Sequence, residues 1–366
     1  MRNCEYQKYT GMRVAVCFLA GAALGLAACQ NHTDSTPRAP APAAPEATST
    51  ASTAGAGAIV SAGFKNLHVP AEGDIKPIDV KLWTPCEKPL QGPFSPGGPF
   101  ALQAVAGCPV AGAGKFPLIV VSHGRGGTAF AHHDTAEALA SAGFIVATFN
   151  HPGDNAFDLS NADDFSVLYH RPAQVKRVID YLLATAPEAE RIDANRIGFF
   201  GFSRGGYTGL VLAGATPDFA KTDISCPQGS ENMCQQLASG SLPNLPLVRD
   251  ARIKSMVIAD PLSFFPTPES VKDVNVPTQL WGTTKGGDGV APESVALLGK
   301  NLTNQPDIKT MPNSNHYSML APCTPALAYL EKDICTKDEP GFDRVTAHKE
   351  WNAQMVVFFK KALEGK

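Results

Sequence analysis

Several features are scarce or absent in this sequence of 366 residues. Charged residues make up only 18% of the chain, the formal net charge is −3, and no basic or acidic block stands out. Nucleic-acid binding through bulk charge is therefore not expected, because it needs many cations that neutralise phosphates. No internal repeat is evident. No CxxC pair occurs either, which speaks against a structural zinc site, and no metal is expected.

The main apolar run near the N-terminus is too short to span a bilayer comfortably. Val14–Ala28 has 15 residues and follows three basic residues, which is typical of a signal peptide. The run ends in Leu-Ala-Ala-Cys29, which resembles a bacterial lipobox. The resemblance implies that residues 1–28 are a lipoprotein signal peptide and that the Cys29 thiol is lipidated. Gln30 after the cysteine favours the outer membrane by analogy. The alternative is an ordinary secretory signal in which Cys29 has no role.

The next stretch has the composition of a linker. Residues 29–58 are rich in Ala, Pro, Ser and Thr and show no hydrophobic periodicity. Such a segment buries too little apolar surface to offset the entropy of ordering it, so we expect a flexible tether. Hydrophobic residues make up 44% of the whole chain, which allows a large core. We therefore expect one folded domain over residues 59–366.

Cysteine usage indicates disulfides. The chain has nine cysteines, and removal of Cys4 and Cys17 with the signal peptide leaves seven. One of these is Cys29, and the other six fall in neighbouring pairs. An even set in an exported protein predicts a disulfide framework. Nearest-neighbour spacing suggests the pairs Cys86–Cys108, Cys226–Cys234 and Cys323–Cys335.

Short apolar runs alternate with helical patterns through the predicted domain. Continuous apolar runs of this length are typical of parallel strands that are covered on both faces. Their alternation with helices predicts an α/β fold with a mostly parallel central sheet flanked by helices. The predicted helices include 129–142 and 167–184, and an amphipathic stretch closes the chain. The predicted strands are 75–83, 116–122, 144–149, 196–202, 253–259 and 276–281.

A G-x-S-x-G motif identifies a candidate nucleophile. In Gly201-Phe-Ser203-Arg204-Gly205 the serine follows an apolar strand and precedes a helical pattern. A strand-to-helix turn of this kind exposes the serine at the carboxyl edge of the sheet. The N–H of Arg204, at the helix start, is then one donor of an oxyanion hole. The alternative is an ordinary serine in a glycine-rich turn.

A second glycine-rich loop follows the strand 116–121. Its small residues, Gly124 among them, let backbone approach a substrate, and the N–H of Arg125 is the expected second oxyanion donor. A phosphate-binding loop is the competing interpretation. It fails because the G-x-G-x-x-G spacing and a ribose-binding acid are missing. His151, after the next predicted strand, is expected to line the substrate pocket together with Gly124.

The general base and its acid follow from chain order. His316 lies after a late strand and before the final helix, which suits a base that takes the serine proton. Asp260 and Asp288 each follow a strand, and both keep the order Ser, acid, His. Asp288 precedes His316 by 28 residues, the tighter spacing, and is favoured over Asp260.

The segment 216–249 breaks the alternation of strands and helices. It is polar and proline-rich, contains two cysteines, and lies between the helix after Ser203 and the next strand. Two interpretations are open: a cap inserted over the active site, or a surface loop.

The chain carries the strings FPLIVVSHG from Phe116, Asn150-His-Pro-Gly-Asp, GFSRGG, Ser314-Asn-His-Tyr-Ser-Met-Leu-Ala-Pro-Cys and Pro340-Gly-Phe-Asp. These strings resemble bacterial predicted dienelactone hydrolases and their relatives, the platelet-activating-factor acetylhydrolases of isoform II type. The resemblance covers roughly residues 64–363 and implies an α/β-hydrolase fold that hydrolyses carboxylic esters without a cofactor. In acetylhydrolase-type members the acid would be Asp260, and in dienelactone-hydrolase types Asp288. Dienelactone hydrolases use a cysteine nucleophile, so Ser203 favours esterase chemistry.

The sequence therefore predicts an exported serine esterase that is tethered to the outer membrane by its lipid. The expected substrates are small-molecule or lipid esters with short acyl groups. The membrane is reached through the anchor alone, and the sequence carries no signal for an oligomeric state. A peptidase of the same fold and a non-catalytic binding protein are the alternative functions.

Overall fold

The computed structural model describes residues 58–221 and 226–364. The predicted signal peptide, the lipidation of Cys29 and almost all of the predicted tether lie outside these residues. Within them, none of the helices combines the length and the hydropathy of a membrane span.

Within residues 58–221 and 226–364, nine strands, numbered β1 to β9 in chain order, form one sheet in the order β3-β1-β2-β5-β4-β6-β7-β8-β9. Strand β2 runs antiparallel to both of its neighbours, and the other adjacent pairs are parallel. The mostly parallel sheet expected for an α/β hydrolase is confirmed. The strands are β1 (Ser61–Val69), β2 (Ile78–Cys86), β3 (Ala104–Ala106), β4 (Phe116–Ser122), β5 (Ile145–Phe149), β6 (Ile192–Phe202), β7 (Ile253–Ala259), β8 (Thr278–Thr283) and β9 (Asp307–Met311).

The predicted strands agree with the structure where the runs are largely apolar, as in β4 and β7. Strand β1 was not predicted, because Ser61–Val69 mixes small and polar residues with few large apolar ones. Strand β6 begins earlier than expected. Ile192 pairs with Phe116 on β4. A shift in register then leaves residues 194–196 without a paired residue on β4, and regular pairing resumes at Ile197. Such irregularities depend on the adjacent strand, so periodicity does not reveal them.

Helices cover both faces of the sheet. Helices α1 and α9 pack on one face, where Leu139 and Trp351 join the buried side chains of the strands. Helices α2, α3 and α6 pack on the other face, with Val175 and Leu210 in a second core. The helices are α1 (His133–Ser141), α2 (Val167–Ala184), α3 (Arg204–Leu212), α4 (Glu231–Ser239), α5 (Pro268–Val271), α6 (Pro292–Asn301), α7 (Pro325–Leu330), α8 (Lys332–Cys335) and α9 (Arg344–Glu364).

The six cysteines of the described residues are joined in the neighbouring pairs that the spacing suggests. One disulfide connects Cys86 at the end of β2 with Cys108 in the loop after β3, and both residues are buried. The other two, Cys226–Cys234 and Cys323–Cys335, close short loops in chain regions near the site described below. Disulfides are typical of exported proteins.

Candidate active site

Ser203 occupies the turn between β6 and α3. Its backbone has φ 55° and ψ −118°, a conformation that costs roughly 1–3 kcal/mol for a residue with a side chain. The flanking glycines make the turn sterically feasible. A Cβ atom on Gly205 would lie 1.9 Å from the carbonyl oxygen of Ser122, and one on Gly201 would lie 2.3 Å from the carbonyl oxygen of Gly205. The motif therefore builds a tight strand–turn–helix around Ser203.

Hydrogen bonds to its carbonyl oxygen fix the orientation of the peptide group between Ser203 and Arg204. The carbonyl oxygen of Ser203 accepts hydrogen bonds from the N–H groups of Gly206 (2.8 Å), Tyr207 (3.2 Å) and Leu262 (3.0 Å). Because a trans peptide is planar, the N–H of Arg204 points the opposite way. This N–H belongs to the first residue of α3, where the helix itself offers no acceptor.

The loop after β4 lies against the serine. A Cβ on Gly124 would be 3.3 Å from the Cβ of Ser203 and 3.1 Å from Cδ1 of Phe202, so glycine permits this approach. The next residue, Arg125, contributes its side chain to the same pocket as Ser203. The structure thus brings Gly124 and Arg125 to the serine.

His316 begins a short 3₁₀ helix, His316–Met319, which is capped by Asn315. The ring of His316 lies beside the turn, 4.6 Å from the ring of Phe202 between centroids. Its Nδ1 is 2.7 Å from Oδ2 of Asp260, and both side chains are buried. Its Nε2 has no hydrogen-bond partner within residues 58–221 and 226–364, so it is available to a substrate or a serine hydroxyl.

The preference for Asp288 is corrected by this geometry. Asp260, the alternative, contacts the histidine, whereas Oδ1 of Asp288 accepts a hydrogen bond from Nη2 of Arg125 at 3.1 Å. Both aspartates have positive φ, so backbone conformation does not separate them. The order of the sheet does: Asp260 directly follows β7, the neighbour of β6, whereas Asp288 lies beyond the end of β8, one strand farther from Ser203, and contacts Arg125 in the pocket wall.

The expectation that His151 lines the pocket is wrong. His151 is buried behind the loop of Gly124, with Nε2 2.8 Å from Oγ of Ser122 and Nδ1 2.7 Å from Oε1 of Gln174. Burial and the nearby Arg171 guanidinium hold the pKa of His151 well below its usual range. His151 is therefore a neutral structural residue.

Part of the segment 216–249 covers the pocket at Ser203. Helix α4 is hydrogen-bonded to Asp163, whose carboxylate accepts hydrogen bonds from the N–H groups of Asn232 (3.1 Å) and Met233 (3.0 Å). Arg125 donates to the carbonyl oxygens of Gln228 and Gly229 just before this helix. Residues on and just before α4 thus line the pocket at Ser203. The pocket has a volume of about 40 Å³ and is lined by Arg125, Ser203, Arg204, Pro227, Ser230, Met233, Cys234, Leu237, Leu262, Phe264 and Asp288.

A buried ionic cluster behind the site was not predicted. Oδ2 of Asp154 accepts hydrogen bonds from Nε of Arg171 and Nη1 of Arg204, both at 2.8 Å. Burial alone would raise the pKa of Asp154, but the two guanidinium groups lower it. A signal was present in the sequence: Arg171 lies at helical spacing on the apolar face of α2, in line with Val175 and Val178.

Comparisons with known proteins agree with this architecture. The model of the family described as platelet-activating factor acetylhydrolase, isoform II, matches residues 97–164, and the match confirms the resemblance over this segment. A ferulic acid esterase from Streptomyces cinnamoneus has 20% sequence identity, with 86% of this chain and 93% of that chain covered and a TM-score of 0.58, which shows a shared fold. A dienelactone hydrolase from Anabaena variabilis has 14% identity, coverage of 82% and 99%, and a TM-score of 0.46. No match was found among curated proteins.

Proposed function

We propose that this protein hydrolyses carboxylic esters through an acyl-enzyme on Ser203. His316 is the general base, Asp260 orients it, and the N–H groups of Arg125 and Arg204 form the oxyanion hole. The observation that carries the proposal is the strained serine turn beside a buried histidine that is hydrogen-bonded to a buried carboxylate. The names of the similar proteins, an acetylhydrolase family and an esterase, support ester chemistry.

The proposed reaction has two steps. Nε2 of His316 takes the proton of Ser203 as the hydroxyl attacks the ester carbonyl, and the imidazolium then gives that proton to the leaving alcohol. Water attacks the acyl-enzyme in the second step, and His316 acts again as base and acid. The Nδ1–H donates to Asp260, which keeps the ring in the tautomer with a free Nε2.

The pocket supports esters with short acyl groups. Its volume of about 40 Å³ and its apolar lining by Met233, Leu237 and Phe264 leave room for a few heavy atoms while α4 is in place. Small-molecule esters and lipid acetyl esters both meet this restriction. We further propose that the protein acts outside the cytoplasm as an outer-membrane lipoprotein anchored through Cys29, on the basis of the lipobox-like sequence and the disulfides.

The test is a comparison of purified wild type with Ser203→Ala on p-nitrophenyl acetate, beside a fluorophosphonate probe. Wild type is expected to turn over the ester and to be labelled, and the variant is expected to do neither. A p-nitroanilide of the same acyl group tests for peptidase activity in parallel. Full turnover by Ser203→Ala, or a wild type that is inert to both ester and probe, would refute the proposal.

A further inference from the structure

The peptide group that carries the N–H of Arg125 is held by three donors. The carbonyl of this peptide belongs to Gly124. It accepts from Nη2 of Arg171 at 2.9 Å, from Nδ1 of His123 at 2.7 Å and from the N–H of Gly127 at 3.2 Å. Planarity then directs the N–H of Arg125 away from these groups. The orientation of the N–H is thus determined by what binds the carbonyl on the other side.

Arg171 also controls the preceding peptide. Its Nη1 donates to the carbonyl of His123 at 2.6 Å, and its Nε donates to Asp154 at 2.8 Å. Oδ1 of Asp154 in turn accepts the N–H of Gly126 at 2.9 Å. Arg171 and Asp154 together therefore bind the backbone on both sides of Arg125. Both side chains are fully buried, so water does not compete for these hydrogen bonds.

His123 donates a hydrogen bond to the same peptide from a neutral ring. Its Nε2 accepts the backbone N–H of His151 at 3.2 Å, which leaves the ring proton on Nδ1 to donate to Gly124. Burial, reinforced by Arg171, lowers the pKa of His123 to about 3. The ring is therefore uncharged at neutral pH and adds no positive charge to the cluster.

The cluster has an excess of positive charge. The cluster consists of the guanidinium groups of Arg171 and Arg204 and the carboxylate of Asp154, so these three groups carry one net positive charge. Burying an uncompensated charge is costly in free energy. This charge lies behind the two peptides that face Ser203. A cation donating to a carbonyl also polarises that peptide and makes its N–H a stronger donor.

We propose that Arg171 and Asp154 are positioning residues that orient and polarise the peptide between Gly124 and Arg125, so that its N–H binds negative charge formed at Ser203. This inference rests on the proposed function. It adds that catalysis by this chain depends on a buried ionic cluster, which acts through the backbone and does not touch the substrate.

The experiment uses Arg171→Met, which removes charge and donors, and Arg171→Lys, which keeps the charge but not the planar fork. Arg177→Met is the matched control. Arg177 lies on the same helix and also donates to backbone carbonyls, those of Pro70 (2.7 Å) and Lys76 (3.0 Å), away from the loop of Gly124. The readouts are kcat and KM for p-nitrophenyl acetate, and the inhibition constant of an alkyl boronic acid that forms a tetrahedral anion on a serine.

For Arg171→Met we expect kcat to fall about 100-fold, the low end of the loss when one oxyanion donor is removed. KM is expected to stay within about twofold, since the ester ground state carries no oxyanion. Boronic acid binding should weaken by the same factor as kcat/KM. Arg171→Lys should lie between wild type and Arg171→Met, and Arg177→Met should match wild type.

Two results would overturn the inference: a folded Arg171→Met with wild-type kcat, or a lower kcat with unchanged boronic acid binding. If Arg171→Met does not fold, Arg171→Lys carries the same test. Failure here is distinct from failure of the proposed function. In the first case wild type is active and Ser203→Ala is dead while the Arg171 variants behave like wild type, and in the second wild type itself is inert.

Discussion

The assignment of Asp260 as the triad acid makes a sharp prediction for the pair Asp260→Asn and Asp288→Asn. Asp260 receives three hydrogen bonds. Its Oδ2 accepts from His316 Nδ1 (2.7 Å) and Thr283 Oγ1 (2.9 Å), and its Oδ1 accepts from the N–H of Thr283 (3.0 Å). An asparagine would keep its oxygen on the Thr283 N–H and turn its NH₂ toward His316. The histidine would then hold its proton on Nε2, the wrong tautomer for a base.

The expected size follows from this tautomer change. A loss of kcat on the order of 10⁴-fold is typical when the acid of such a triad becomes an amide, which corresponds to about 5.5 kcal/mol of transition-state stabilisation. Asp288→Asn removes only the ion pair with Arg125, in the pocket wall. We therefore expect kcat within about tenfold of wild type. Both variants keep the side-chain shape, so they should fold, and circular dichroism with thermal melting checks this.

The test measures steady-state turnover of p-nitrophenyl acetate by wild type and the two variants in one buffer. It shows which aspartate acts as the triad acid. The reasoning would be refuted by Asp260→Asn retaining more than about a tenth of wild-type kcat. It would equally be refuted by Asp288→Asn losing as much as Asp260→Asn. Either result would mean that the observed contact between His316 and Asp260 is not the one used in catalysis.

Two further predictions follow from the cap and the core. Replacing Met233 and Leu237 by alanine should enlarge the pocket under α4 and raise the kcat/KM ratio of p-nitrophenyl octanoate to acetate at least tenfold, because each buried methylene contributes about 0.8 kcal/mol. The exposed Leu245→Ala is the control, and an unchanged ratio would contradict the cap assignment. Burial lowers the pKa of His132 to about 3, so between about pH 6.5 and 3 the unfolded chain binds a proton that the folded protein does not. As the pH is lowered through this range, the free energy of unfolding should therefore decrease by up to about 1.4 kcal/mol per pH unit because of this group. His132→Phe should reduce the difference between the free energies of unfolding at pH 7 and at pH 5, each measured by urea denaturation. An equal difference in wild type and variant would count against a neutral buried ring.

The cluster of Asp154, Arg171 and Arg204 connects the fold to the proposed chemistry. Arg204 follows the nucleophile directly, and its guanidinium is bound to Asp154, which also anchors the loop of the other donor. The two halves of the proposed oxyanion hole are therefore held by one carboxylate.

The sequence alone determined the features that depend on short-range sterics and periodicity. Largely apolar runs predicted the parallel strands β4 and β7, since strands covered on both faces are rich in apolar residues. The glycine spacing around Ser203 predicted the strained turn, because only glycine fits where backbone atoms approach so closely. The spacing of the cysteines predicted the disulfides, because two cysteines separated by a short loop are close in space.

Tertiary structure alone decided which distant residues meet. Asp260 and Asp288 both follow strands, and chain order allows either, so only their contacts separate them: Asp260 meets His316, whereas Asp288 meets Arg125. His151 and Arg171 were open to the same uncertainty, because a polar residue on a buried face is recognised as structural or functional only by its partners. Periodicity gives the side of a helix or strand on which a residue lies, whereas the contact it makes depends on what packs there.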